Sequence, residues 1–224
     1  MSEYLQRYLK STRYINYDAP EIADLIDRLG LRSDPPTLAA VKAFRFVRDQ
    51  IKYNPYAPML TKQDYEATTV LERGHGFCVQ KAILLAALSR GAGIPCKLIF
   101  ADIISHQVPL ELLELMRTNR FTWHGYNAMY LDGRWVKATA SFDIDMCERM
   151  GFVPVGFDGT ADAVLPAVNK AGMPHIEYVK SHGDFDDVPY DEIVGAFKET
   201  YVKGNPKIQA FLAEQELKMN RGEG

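Results

Sequence analysis

A cysteine stands where a glycine-flanked loop meets an apolar helix, in the run Gly74-His75-Gly76-Phe77-Cys78-Val79-Gln80-Lys81-Ala82-Ile83. At a helix start the unpaired backbone N–H groups and the positive end of the macrodipole favour a thiolate. A cysteine so placed can have its pKa lowered to about 3.5–7.5. The glycines allow a sharp turn and close approach of a substrate, and the Cys78 N–H points where an oxyanion would form. This is nucleophile chemistry, and a thiol nucleophile needs a base held by a third group. Of the five histidines (His75, His106, His124, His175 and His182), His124 lies in an expected strand, on a rigid element. His75 precedes the helix and reads as a loop residue. His106 with Asp102 reads as a pair of turn residues at a strand end.

The strands around His124 allow a geometric step. Residues 121–131 and 134–142 alternate as strands around Asp132-Gly133, a strong two-residue hairpin turn. Leu131 then faces Arg134, and paired residue numbers sum to 265 if no bulge intervenes. His124 would lie opposite Ser141, with Thr139 and Asp143 as diagonal neighbours on the same face. Either could reach the imidazole, but only Asp143 carries a charge to stabilise imidazolium. The residues alone therefore give Cys78, His124 and Asp143 as the catalytic set.

Among the supporting elements, a helix over about 20–30 and another after Asp34-Pro35 are expected, the second with Ala40, Phe44, Val47 and Ile51 on one face. A helical piece over 64–73 leads to the glycine loop. The unbroken apolar run from Ala82 to Leu88 describes a helix buried on nearly all sides. A strand over 96–104, an inserted helix over 109–117 and the hairpin follow. Residues 150–190 are rich in Gly, Pro and Asp and carry no clear pattern, and two helices close the chain, the last capped by Asn205. The class is α+β, with a buried helix presenting Cys78 against an antiparallel sheet.

Composition narrows the chemistry. The 224 residues are 47% hydrophobic and 25% charged with net charge −3, enough for a core that desolvates a site. No stretch interleaves Lys and Arg with aromatics as a nucleic-acid surface would, and no run is long and uncharged enough to cross a bilayer. The first residues, Met1 to Arg7, lack the apolar stretch of a signal peptide, so a cytoplasmic location is expected. Cys78, Cys96 and Cys147 match no zinc spacing or disulfide framework. Asp184, Asp186 and Asp187 lack the spacing of a calcium loop and read as a solvated turn. No metal or organic cofactor is called for, and the oligomeric state is left open.

Gly-His-Gly-Phe-Cys78 with its Ala/Leu-rich helix, Arg90-Gly91-Ala92-Gly93-Ile94-Pro95-Cys96, Trp123-His124-Gly125-Tyr126-Asn127 and Leu131-Asp132-Gly133-Arg134-Trp135 together resemble the transglutaminase-like superfamily. The similarity covers about residues 35–145. It implies a papain-related fold and a Cys, His, Asp order in which Cys78 matches the nucleophile and His124 the histidine. Three positions depart from the pattern: Tyr126 and Ala128 replace the usual Trp and Glu after the histidine, and Thr139 stands where the aspartate falls. The expected organisation is an N-terminal helical extension (1–33), a catalytic core (34–145), and a loop-rich segment with closing helices packed on it (146–224). The expected activity is hydrolysis of an amide or peptide bond, or acyl transfer through a Cys78 thioester, on a peptide, protein or small amide. The alternative is a degenerate fold acting as a protein- or peptide-binding module.

Overall fold

The computed structural model describes residues 2–221; residue 1 and residues 222–224, the outer ends of the first and last expected segments, lie outside the described residues. In chain order the elements are α1 (Glu3–Gln6), α2 (Pro20–Arg28), α3 (Pro36–Gln50), β1 (Lys52–Tyr53), α4 (Ala67–Arg73), β2 (His75–Gly76), α5 (Cys78–Gly91), β3 (Cys96–Ser105) and α6 (Leu110–Met116). They continue with β4 (Arg120–Leu131), β5 (Arg134–Ala138), α7 (Ile144–Met150), β6 (Ile176–Phe185), α8 (Tyr190–Phe197) and α9 (Pro206–Asn220), with a π-helical turn, Lys198–Val202, between α8 and α9.

The helix α5 is the axis of the molecule. Every residue from Val79 to Arg90 is buried: the apolar run of residues 82–88 on all sides, and Gln80, Lys81, Ser89 and Arg90 with side chains hydrogen-bonded to backbone carbonyls. α2, α3 and α4 surround it on one side, and the antiparallel sheet β5-β4-β3-β6 lies on the other. The helix and sheet touch closely because Gly125 of β4 has no side chain. A Cβ there would stand 2.9 Å from the Cα of Val79, inside van der Waals contact with backbone. Asn127 crosses the same seam, its Nδ2 donating to Ala82 O at 2.9 Å.

The hairpin keeps the expected register from Leu131↔Arg134 to Asn127↔Ala138, with Asp132 and Gly133 at φ +48° and +84° as the tight turn needs. It ends there. At Ala138 the chain makes a parallel bridge to Ala163, and the Thr139 N–H goes to Ala163 O at 2.8 Å. The second strand is therefore four residues shorter than its sequence alternation suggests, and His124 has Ala101 of β3, not Ser141, as its partner.

Two elements were invisible to periodicity. β6 lies inside the Gly/Pro/Asp-rich stretch and pairs antiparallel with β3, with shifts of register at Phe100/Ala101 and Asp102/Ile103; it is an exposed edge, so it carries no apolar alternation. α7 is one short helix set by its cap: Asp143 accepts the Met146 N–H at 3.0 Å. The expected helix over 64–73 is split at Glu66 into a 3-10 turn, Lys62–Tyr65, and α4, because Asp64 and Thr61 form a capping box. No described helix is long and apolar enough to cross a membrane.

Candidate active site

Cys78 opens α5 from a support that the sequence encodes locally. Gly74, at φ +67°, ends α4 in the left-handed conformation that glycine adopts without cost. β2 then pairs in parallel with β1, bringing Tyr53 opposite Gly76. Gln80 secures the entry: its Oε1 accepts the Phe77 N–H at 3.2 Å and its Nε2 donates to Pro58 O and Asp64 O at 2.7 and 2.9 Å. The half-buried thiol lies at the floor of an apolar cleft also lined by His124, Tyr53, Phe121 and Phe142.

Two opposing effects act on the thiol. Burial away from water raises its pKa, while the backbone N–H groups of Gly125, Val79 and Cys78 lower it; burial wins, and Cys78 is pushed up to about 11. His124 is buried too and is pushed down to about 3 by desolvation. The free site therefore rests as neutral thiol and neutral imidazole. The lowered thiol expected from the helix start does not appear, because the desolvated surroundings outweigh three backbone dipoles.

The imidazole of His124 stacks near Tyr126 (centroids 5.9 Å) and meets the edge of Tyr178 (6.0 Å). Its Nε2 is buried without a hydrogen-bond partner, and so is Thr139 Oγ1. The Tyr178 ring flanks His124, and its hydroxyl accepts from the Leu165 N–H at 3.3 Å. Among the described residues no carboxylate is hydrogen-bonded to the imidazole, on which desolvation acts alone.

Asp143 is committed elsewhere. One oxygen caps α7 at Met146 N–H, and the other accepts the Tyr53 N–H at 2.9 Å. No hydrogen bond joins it to His124, because the hairpin register on which that contact depended stops at Ala138. Burial alone would raise its pKa, but these two N–H groups with Lys81 and Lys52 more than offset this and hold the carboxyl below its usual range. Its structural effect is to fix Tyr53 beside Cys78. Lys81, one turn along α5, is fully buried; its Nζ donates to Arg48 O at 3.0 Å and Ile51 O at 2.5 Å, covering the carbonyl end of α3. Burial pushes it down to about 7.

Behind His124 lies a network that sequence reasoning missed. Asp102 accepts from His182 Nε2 at 2.6 Å, Arg120 Nη2 at 2.7 Å, Thr122 Oγ1 at 2.9 Å and the Trp123 N–H at 3.0 Å. Its partner is His182, not His106, which lies 3.4 Å from Glu177. The sequence offered no signal, since His182 falls on the strand that periodicity did not reveal. The other acids of that stretch are likewise occupied: Asp184 with Lys97, Asp186 with Arg7 and Asp187 with Thr12. Cys96 and Cys147 are buried, each pushed up to about 11 mainly by desolvation.

The family model of the transglutaminase-like superfamily matches residues 23–140. That span contains Cys78, His124 and Thr139 and stops short of Asp143. Among solved structures, a candidate cysteine protease from Cytophaga hutchinsonii aligns with a TM-score of 0.48 at 14% identity, over 83% of this chain and 55% of its own. A candidate protease from Parabacteroides distasonis ATCC 8503 aligns with a TM-score of 0.39 at 18% identity, over 62% of this chain and 25% of its own. The chain therefore spans about half the length of the first and a quarter of the second. No curated protein matches it. With the matched region covering just over half of the sequence and both the cysteine-bearing helix and the histidine strand inside it, this chain belongs to the transglutaminase-like superfamily.

Proposed function

We propose that the chain is a cysteine-nucleophile hydrolase or acyltransferase acting on an amide, peptide or related acyl group. The observation that carries this reading is the convergence on one cleft of the Cys78 thiol, at the head of a buried helix, and the neutral imidazole of His124, with its Nε2 unpartnered. A neutral imidazole is the form that can accept a proton. His124 takes the thiol proton as Sγ bonds to the carbonyl carbon, and the N–H groups at the start of α5 stabilise the developing oxyanion. The C–N bond then breaks, His124 returns the proton to the departing amine, and a thioester remains on Cys78. Water releases the acid and restores the thiol; an amine in place of water gives transfer.

Asp143 enters this scheme as the residue that holds Tyr53 against Cys78, and Tyr126 with Tyr178 as the rings that flank His124. The test is acyl-enzyme formation followed by intact-protein mass spectrometry after mixing with p-nitrophenyl acetate, with release of p-nitrophenol measured in parallel. A one-acetyl mass increase that maps to Cys78, and that is absent in Cys78→Ala and slowed at least a hundredfold in His124→Ala, supports the enzyme. No acylation above the Cys78→Ala background overturns it and favours the binding module, for which the missing carboxylate at position 139 is the supporting observation.

A further inference from the structure

Two clefts meet at Cys78, and they differ in what else they touch. One is lined by His124, with Ser105 and Gln107 among its polar residues. The other contains Cys78 and Tyr53 but not His124; it lies, partly open to solvent, between Phe77, Phe197, Tyr201, Ile208, Phe211 and Leu212. No Asp, Glu, Lys, Arg or His lines this second cleft. Two of its polar groups are already engaged: the Tyr201 hydroxyl accepts the Thr122 N–H at 2.7 Å, and Thr122 Oγ1 donates to Asp102 at 2.9 Å. Its outer wall comes from the π-helical turn and α9, beyond the residues that match the family model.

The geometry points to this second cleft as the acyl-group site, selecting substrates whose acyl portion is an uncharged apolar chain or large apolar side chain. The assignment of sides rests on the catalytic roles proposed above. The group that returns a proton to the leaving amine must stand on the leaving-group side, which makes the His124 cleft the leaving-group side and leaves the cleft without it for the acyl part. A charged acyl group there would lose its hydration with no ion to pair with. An apolar one gains roughly fourfold in binding for each methylene removed from water.

The experiment uses two homologous series on the full chain at pH 9. In the first, p-nitrophenyl acetate and p-nitrophenyl hexanoate acylate Cys78: the Sγ–carbonyl bond forms, the aryl C–O bond breaks, nitrophenolate leaves and the thiol proton passes to His124 and solvent. In the second, N-ethyl- and N-hexylchloroacetamide alkylate it: the S–C bond forms, chloride leaves and the proton goes to solvent. The expected result is a hexyl or hexanoyl advantage of at least tenfold in rate constant in each series. Phe211→Glu and Leu212→Trp, the first placing a charge in the cleft and the second filling it, each reduce the advantage below threefold, with circular dichroism and thermal melts confirming that the variants fold. Equal rates for short and long reagents in both series, or an advantage untouched by both variants, overturn the acyl-site assignment. If no ester acylates Cys78 while the alkylation advantage and its loss in the variants remain, the catalytic reading has failed and the apolar site beside the thiol stands. If p-nitrophenyl acetate acylates Cys78 with no chain-length advantage in either series, the acyl-site assignment has failed and the enzyme stands.

Discussion

The main-chain N–H of Trp123 is held at 3.0 Å by the Asp102 carboxylate, and Trp123 has φ +54°, in the left-handed region that a bulky residue rarely adopts. This is the residue immediately before His124, at the point where the β3/β4 ladder shifts register. The Trp123 indole stacks on the His182 ring at 4.3 Å, and His182 binds the same carboxylate. One buried acid therefore stabilises a strained backbone whose direction aims the imidazole. Such strain costs of order 1–3 kcal/mol and persists only where its surroundings over-determine it.

Asp102→Asn tests that relationship. It keeps the shape but removes the charge that half-exposed Arg120 pairs with and that His182, Thr122 and the Trp123 N–H bond to, so stability falls by about 1–3 kcal/mol and kcat on an ester substrate falls more than KM changes. The carboxyl's pKa would be raised by burial, but hydrogen bonds from His182, Arg120, Trp123 and Thr122 hold it well below the usual carboxylate range. A depressed acid contributes stability that is fully present above the unfolded value of about 3.9 and lost as pH falls through the folded one. Denaturant titrations of both proteins at pH 7 and pH 3 read the effect: a variant as stable as the parent at pH 7 refutes the role.

Asp143→Ala separates a cap from a catalytic acid. Losing the α7 cap and the Tyr53 contact should cost about 1–2 kcal/mol and lower kcat modestly, by about tenfold or less. A loss near the 10⁴-fold that accompanies removal of an imidazole-orienting carboxylate would mean that Asp143 reaches His124 during turnover.

The resting thiol fixes a pH profile. With Cys78 pushed up to about 11, its iodoacetamide alkylation, followed by mass spectrometry, should rise about tenfold per pH unit from 7 to 10. The same cysteine in denatured protein should level off above about pH 8.5. A plateau in the native protein below pH 8 would instead show a thiolate–imidazolium pair.

Acid sensitivity follows from two buried histidines. Desolvation pushes His124 down to about 3 and His175 down to about 4, so between these values and about 6.5 the unfolded chain binds the extra protons. Stability is then present above pH 6.5 and declines as pH falls, by about 2 kcal/mol per histidine at pH 5. Both ring nitrogens of His175 are buried and unpartnered, and its ring lies against Phe152 at 4.0 Å. His175→Leu should therefore raise the melting temperature at pH 7 and flatten its dependence between pH 7 and 5; an unchanged slope would count against this account.

Gly125→Ala probes the helix–strand seam. The new Cβ meets the Val79 backbone at 2.9 Å, which cannot rotate away, so β4 must lift from the head of α5. The expected cost is about 2–3 kcal/mol, with acylation of Cys78 reduced at least tenfold because His124 and the Gly125 N–H move with the strand. Wild-type acylation by the variant would show that the close approach is not needed.

The local patterns in the chain determined a great deal by themselves. An Ala/Leu-rich apolar run without β-branched alternation reads as a buried helix, Asp132-Gly133 closes a hairpin through its own dihedral preferences, and the head of α5 follows from Gly74 and Gln80 within a few residues of Cys78. These are short-range effects, which is why the helix head that carries Cys78 and the hairpin strand that carries His124 were legible as elements. Tertiary structure decided the rest. The end of β5 depends on Ala163, twenty-five residues away from Ala138 in the chain, and with it the fate of Asp143. β6 exists because β3 offers it hydrogen bonds, not because its residues alternate. The ionisation of the site depended on how much water the folded cleft excludes. Helix position alone predicts a lowered thiol, but desolvation is the sum of all neighbours at the site, and that sum exists only once the distant segments have packed around Cys78 and His124.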